Sequence, residues 1–279
     1  MHLAKPGRFI DPFTDFGFKR IFGSEPNKDL LIDFLNQLFA GEKYIIDLTY
    51  DKTEQNGPLS ADRKVIFDLL CTGADGEQFI IEMQRIRQEF FKDRCLYYVA
   101  SLIRDQVPIS TKSWNYRLKP VYLIGIMDFC FDETDRHFIS KVMLKDDKGK
   151  AFYDKLTFIY VEIPKFKKRE EELNSELDNW LFLLKHMNNI DKLPLFLRRP
   201  IFKKLFDIAE VSNLNKQDKM AYDASVKQAR DLYATKETAW NDGVMASKRE
   251  TAKKMKEKGL SDELIMEVTG LSESQLAML

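Results

Sequence analysis

The sequence predicts an α/β fold, a mixed sheet flanked by helices and followed by an α-helical C-terminal extension. Three observations carry this. Residues 64–72 and 78–84 are apolar at nearly every position and are separated by a tight turn, as strands covered on both faces should be. Residues 120–129 (PVYLIGIMDF) form a third buried-strand run. The stretches between and after these runs place their apolar residues at helical spacing.

Taken in order, residues 1–26 begin with a Pro-, Gly- and aromatic-rich segment in which Asp15, Lys19 and Arg20 stand among Phe13, Phe16, Phe18, Ile21 and Phe22. This reads as an aromatic plug on the core with its charges solvated. Residues 27–39 are helical, with Leu30, Leu31, Phe34, Leu35 and Leu38 on one stripe and Gly41 closing the helix. Residues 44–50 alternate as a strand, and residues 52–61 form a loop or sheet edge. After the hairpin, residues 85–107 read as one long helix, with Phe91, Cys95, Tyr98 and Leu102 at helical spacing. Residues 108–120 are a loop whose Trp114 and Tyr116 cover the sheet or stack on bases. Residues 137–145 and 157–163 add two strands.

The basic stretch KFKKR at residues 165–169 suggests a boundary, so that residues 1–165 form the α/β domain, 166–250 a helical extension and 251–279 a small helical tail. Helices are expected from residue 170, through 200–211, and from 216 to about 258. In the tail, Ser261 is an N-cap and Ser272 with Gln275 a capping box. Gly259–Leu279 carries four acidic and no basic residues, so it suits oligomerisation or partner contact better than reading of DNA.

The chemistry concentrates in the hairpin RKVIFDLLCTGADGEQFIIEMQ at residues 63–84. Its apolar strands each carry a carboxylate, Asp68 and Glu82, and a buried carboxylate needs a partner, a metal or an open cleft. Glu82 and Gln84 share a face by strand period. A three-residue loop, Ala74-Asp75-Gly76, pairs Gly73 with Glu77 and so sets Asp68 opposite Glu82. A two-residue turn would place the two carboxylates on opposite faces. Adjacent carboxylates repel unless a cation joins them, and hard oxygen ligands at a partly open site suit Mg²⁺, with Mn²⁺ as a substitute. The carbonyl of Met83 is a further candidate ligand, and Gln84 a candidate for orienting water. The competing reading pairs the two acids with Lys64, Arg85 or Arg87. Arg87, Lys92 and Arg94, just after the hairpin, are candidates for phosphate contact, or surface charges balanced by Glu89 and Asp93.

Asp68 followed by Glu82-Met83-Gln84 resembles the PD-(D/E)XK nuclease superfamily, and more closely the bacterial recombination-promoting nuclease and transposase family. The supporting residues are Asp15–Gly23 (DFGFKRIFG), Lys64–Asp68, Ile81–Gln84, Arg94 with Tyr97-Tyr98, and Trp114-Tyr116 with Pro120–Asp128. The match covers most of residues 8–165 and, more loosely, the tail. The resemblance implies a restriction-endonuclease-like fold and Mg²⁺-dependent hydrolysis of DNA phosphodiesters, linked to recombination or transposition. It assigns Asp68 and Glu82 to the metal and places Asp15 and Lys19 at the cleft edge. The sequence departs from the pattern at Gln84, where the superfamily usually has Lys, and at Phe67, where it usually has Pro. The Gln84 departure keeps open a second reading, a weakly active or inactive nuclease fold acting as a DNA-binding or assembly module.

Composition is consistent with these readings. The 279 residues balance 44 Lys and Arg against 44 Asp and Glu, so DNA contact must come from local patches. Cys71, Cys95 and Cys130 form no CxxC and only His2, His137 and His186 accompany them, which argues against zinc. No run suggests a signal peptide or a transmembrane span, and a cytoplasmic bacterial protein is expected.

Overall fold

The computed structural model describes residues 7–55, 65–107 and 115–279. Lys64 and Trp114 lie outside the described residues. The elements in order are α1 (Asp15–Phe22), α2 (Lys28–Phe39), β1 (Leu48–Tyr50), β2 (Glu54–Gln55), β3 (Val65–Ile66), β4 (Leu69–Gly73), β5 (Gln78–Gln84), α3 (Phe91–Asp105), β6 (Val121–Met127), β7 (Ile139–Lys145), β8 (Ala151–Glu162), α4 (Glu176–His186), α5 (Pro200–Ala209), α6 (Lys216–Glu257), α7 (Asp262–Thr269) and α8 (Glu273–Ala277). Six strands form a mixed sheet in the order β1-β4-β5-β6-β8-β7, and β2 pairs with β3. The β1-β4, β4-β5 and β7-β8 pairs are antiparallel, while β5-β6 and β6-β8 are parallel. The crossover between β5 and β6 is α3, as a parallel pair requires.

Strand alternation divides the core in two. Leu69, Cys71, Phe79, Ile81, Ile124 and Ile126 face α1, α2, α4 and α5. Leu70, Ile80, Leu123, Met127 and Tyr160 face α3, meeting Phe91, Cys95 and Val99. The expected stripe of α2 is fully buried, and Ala40 and Gly41 end that helix with positive φ.

Several element boundaries differ from the sequence reading, β8 among them, since it starts at Ala151 rather than at 157. The run at 64–72 is not one strand: the chain bends at Phe67 and Asp68 between β3 and β4. The long helix starts at Phe91, because residues 85–90 turn away from the sheet first. The strand expected over 44–50 is paired only at Leu48–Tyr50.

The chain forms two compact units, residues 1–226 and 227–279. In the first, α4 and α5 share one core with the N-terminal helices. Trp180 is fully buried against Phe22, Phe34 and Phe202, and its Nε1 donates to Asp33 (2.7 Å). Residues 9–11 bind the end of α5 and the start of α6. Ile10 N–H donates to the Ala209 carbonyl, and Asp11 N–H donates to the Tyr222 hydroxyl. The second unit packs Ala252, Ile265, Leu271 and Leu276 into a small core. Ser261 caps α7 and the Ser272–Gln275 capping box begins α8. No helix among the described residues is long and apolar enough to cross a membrane.

Candidate active site

The hairpin has the three-residue loop. Thr72 pairs with Gln78 and Leu69 with Ile81, Gly73 N–H donates to the Glu77 carbonyl, and Gly76 takes the left-handed conformation (φ +79°). The regular ladder ends at Leu69, one residue short of Asp68. Side chains replace backbone beyond that point. Met83 N–H donates to Asp68 Oδ2 (2.8 Å), and Asp68 N–H donates to Glu82 Oε1 (3.2 Å). Each carboxylate therefore binds the backbone of the strand opposite, and this reciprocal exchange holds the two acids together where the chain bends.

Even-numbered residues of β5 face α3, so Ile80, Glu82 and Gln84 lie in one column. Across the sheet, Glu82 is level with Gly125 on β6 and Tyr160 on β8. A Cβ on Gly125 would meet Tyr160 Cδ1 at 3.0 Å and Phe91 Cζ at 3.7 Å, so this glycine lets two aromatic rings close over β6 beside the acids.

Glu82 is 4% exposed and Asp68 half-buried. Burial, together with the Asp68 charge, pushes the Glu82 carboxyl up to about 8. Burial also raises Asp68, against the Met83 hydrogen bond that lowers it. Asp15 and Lys19 of α1 act on Asp68 in opposite directions, which puts this pair within electrostatic reach of Asp68. They bind each other at 2.7 Å.

Among the described residues, Arg94 of α3 brings a cation to Glu82. Its Nη2 lies 3.9 Å from Glu82 Oε2 and donates to Gln84 Oε1 (2.6 Å), while Nη1 donates to Gln88 Oε1 (2.6 Å). Its guanidinium lies against the rings of Phe91 (5.1 Å) and Tyr98 (5.9 Å). Arg94 Nε is buried without a hydrogen-bond partner among the described residues. Gln84 Nε2 donates to the Ile86 carbonyl (2.9 Å). Gln84 thus has both ends of its amide engaged, and a guanidinium stands beside it.

Arg85, a sequence candidate for pairing with the acids, points to the other face. It binds buried Asp11 and lies 3.8 Å from Asp128. Arg87 is exposed. Lys92 faces away from the acids and lies 4.4 Å from the Phe131 ring centroid. Of the expected site residues, Asp68, Glu82, Met83, Gln84 and Arg94 come together with Lys19 at the edge, while Arg87 and Lys92 stand apart. Sequence reasoning did not single out Gly125 or Gln88. A glycine inside an otherwise apolar strand is the signal that marks close approach at Gly125.

Two buried carboxylates with raised pKa values, held side by side, fit a divalent cation, whose charge removes the penalty of ionising both. Among the described residues no cluster of three or more His, Cys, Asp or Glu side chains that could hold a metal is present.

The sequence matches the family described as PD-(D/E)XK nuclease family transposase over residues 12–239. No curated protein and no solved structure matches.

Proposed function

The chain belongs to the PD-(D/E)XK nuclease family transposases, and from that premise we propose that it is a Mg²⁺-dependent DNA endonuclease acting in recombination or transposition. The observation that carries this reading is the reciprocal Asp68–Glu82 pair, with both carboxyls raised by burial. Asp68 and Glu82 would hold the ion through their second oxygens. Met83 adds its carbonyl, which points to the same strand edge as the N–H that Asp68 accepts. Bound there, Mg²⁺ or Mn²⁺ supplies Lewis-acid stabilisation of a phosphodiester and a more acidic water.

The chain's own residues supply the remaining roles. Arg94 brings the positive charge that Gln84 lacks, anchored by Gln84 and Gln88 at a distance from Glu82 that leaves the carboxylate available. Gln84 fixes Arg94, and its contact with water requires Arg94 to turn toward substrate. Lys19, exposed and acting on Asp68, holds the phosphate backbone, with Arg87, exposed but apart from the acids, as an outlying contact. A cytoplasmic location accords with this substrate.

The second reading, a fold with weak or no hydrolysis serving as a DNA-binding or assembly module, draws on the same Gln84, whose amide is already engaged at both ends. For residues 227–279 we propose contact with another copy or partner. Trp240, 71% exposed on α6, supports this.

The test is nicking of supercoiled plasmid with Mg²⁺ or Mn²⁺ by wild type, Asp68→Asn and Glu82→Gln, prepared identically. Cleavage by wild type alone supports the endonuclease. Equal behaviour of all three transfers the case to the binding module.

A further inference from the structure

On the same sheet face as the acids, two strands across, lies a cavity of about 490 Å³. Its volume falls within the roughly 300–1,000 Å³ of small-ligand sites. Adjacent strands are about 4.8 Å apart, so Tyr160 lies about 10 Å from Glu82 along one row of the sheet. Helix α3 stands between the two sites, with Arg94 toward the acids and Lys92 toward the cavity.

The cavity has an aromatic corner. Phe158 and Tyr160, successive residues on this face of β8, present near-parallel rings (14°). The Phe131 ring rises from them almost at right angles, 84° to Tyr160 at 5.2 Å. Lys165 and Glu162 also line the cavity, with side chains 7% and 3% exposed, bound at 2.9 Å. Phe131 N–H donates to the other oxygen of Glu162 (2.8 Å). A buried ion pair is costly to desolvate and adds little stability over an apolar filling. Placed beside an aromatic platform, it offers a donor and an acceptor to a ligand.

The charges narrow the ligand class. Asp132, Asp135 and Glu162 outnumber Lys92 and Lys165, so the lining favours groups that donate hydrogen bonds and disfavours an enclosed phosphate. Among the described lining residues, the exposed cation is Lys92, which lies over the edge wall formed by Phe131. A flat heterocycle with an exocyclic amine satisfies the platform and the carboxylates together, with its own phosphate outside, near Lys92.

We propose that this cavity binds an unpaired, amine-bearing nucleobase of the same strand whose backbone reaches the Asp68–Glu82 pair. The proposal rests on the endonuclease reading for its choice of strand over free nucleoside, but its test needs no cleavage. An oligothymidylate carrying one central 2-aminopurine is titrated with the full chain in EDTA, following 2-aminopurine fluorescence. Stacking on Phe158 and Tyr160 should quench the signal in wild type and equally in Asp68→Asn. Val142→Trp, which fills the cavity from a side chain 49% exposed on edge strand β7, should weaken binding about tenfold. Phe158→Ala should do the same by removing the platform. The nucleobase site is overturned if wild type gives no quench, or if Val142→Trp binds and quenches like wild type. Assignment to a strand is overturned if free adenosine or cytidine competes as well as the oligonucleotide. Loss of plasmid cleavage in no acidic-site variant, with quenching intact, would overturn the endonuclease reading and leave the base site standing.

Discussion

Glu82→Gln should stabilise the metal-free protein at alkaline pH. Glutamine keeps the oxygen that accepts from Asp68 N–H while removing a charge that is 4% exposed and faces a second carboxylate. Burial and Asp68 raise Glu82 from 4.5 to about 8 in the folded chain. A raised folded-state pKa for an acid contributes stability that is fully present below the unfolded value and is lost as pH climbs through the folded one. In EDTA, wild type should therefore lose stability between about pH 4.5 and 8, and Glu82→Gln should escape that loss. At 1.36 kcal/mol per pKa unit the ceiling is about 5 kcal/mol; relaxation and water entry should leave about 2–3 kcal/mol at pH 8.5. That corresponds to a midpoint about 5–10 °C higher for the variant. The assay is thermal unfolding of both proteins from pH 5 to 9, read as the difference between them so that titrating groups distant from this pair cancel. Mg²⁺ should then stabilise wild type, by about 3 kcal/mol at a hundredfold excess over its Kd, and leave the variant unmoved. A difference that does not grow with pH would refute the claim that the fold holds two mutually repelling carboxylates.

Further outcomes follow from single contacts. Gln84→Lys sets an ammonium against the Arg94 guanidinium and removes its acceptor; plasmid cleavage should fall at least about tenfold, with recovery in Gln84→Lys/Arg94→Gln, whereas increased cleavage by the single variant would show that Arg94 does not serve as the site's cation. Arg85→Ala leaves Asp11, 3% exposed, without its cation, and should cost about 3–5 kcal/mol in urea unfolding; a loss under about 1 kcal/mol would mean that the pair is not sequestered as the structure has it. Gly125→Ala brings a methyl to 3.0 Å from Tyr160, a ring already packed by Phe91 and Phe131, and should cost about 1–3 kcal/mol by the same measurement.

Much of the fold was legible because it is written in local spacing. The burial of α2 follows from five apolar residues on one stripe, and the caps of the C-terminal helices follow from serine hydroxyls one turn before the backbone donors they satisfy. The hairpin register was legible because loop length alone decides which residues face each other, and Gly76 supplies the left-handed step that the three-residue loop requires. Family membership follows from residues dispersed along the chain, matched over residues 12–239.

Tertiary structure decided what spacing leaves open. The run at residues 64–72 reads as one strand, yet Asp68 leaves the ladder because its carboxylate takes the Met83 N–H in place of a backbone carbonyl. The turn at 85–90 delays the helix until Phe91 and so fixes which of Lys92 and Arg94 meets the acids, a choice that a continuous helix from residue 85 would not have revealed. The shared core of Trp180 with Phe22 and Phe34 joins segments far apart in sequence, which no local pattern at the basic stretch 165–169 discloses. Which residues could carry the chemistry, and which of them share a strand face, depends only on residue type and a two-residue period, both of which are readable before any fold is known. Only the three-dimensional packing decided which cation stands beside Glu82 and how the sheet face divides between the acids and the aromatic cavity, because those depend on contacts between elements whose separation in sequence carries no distance information.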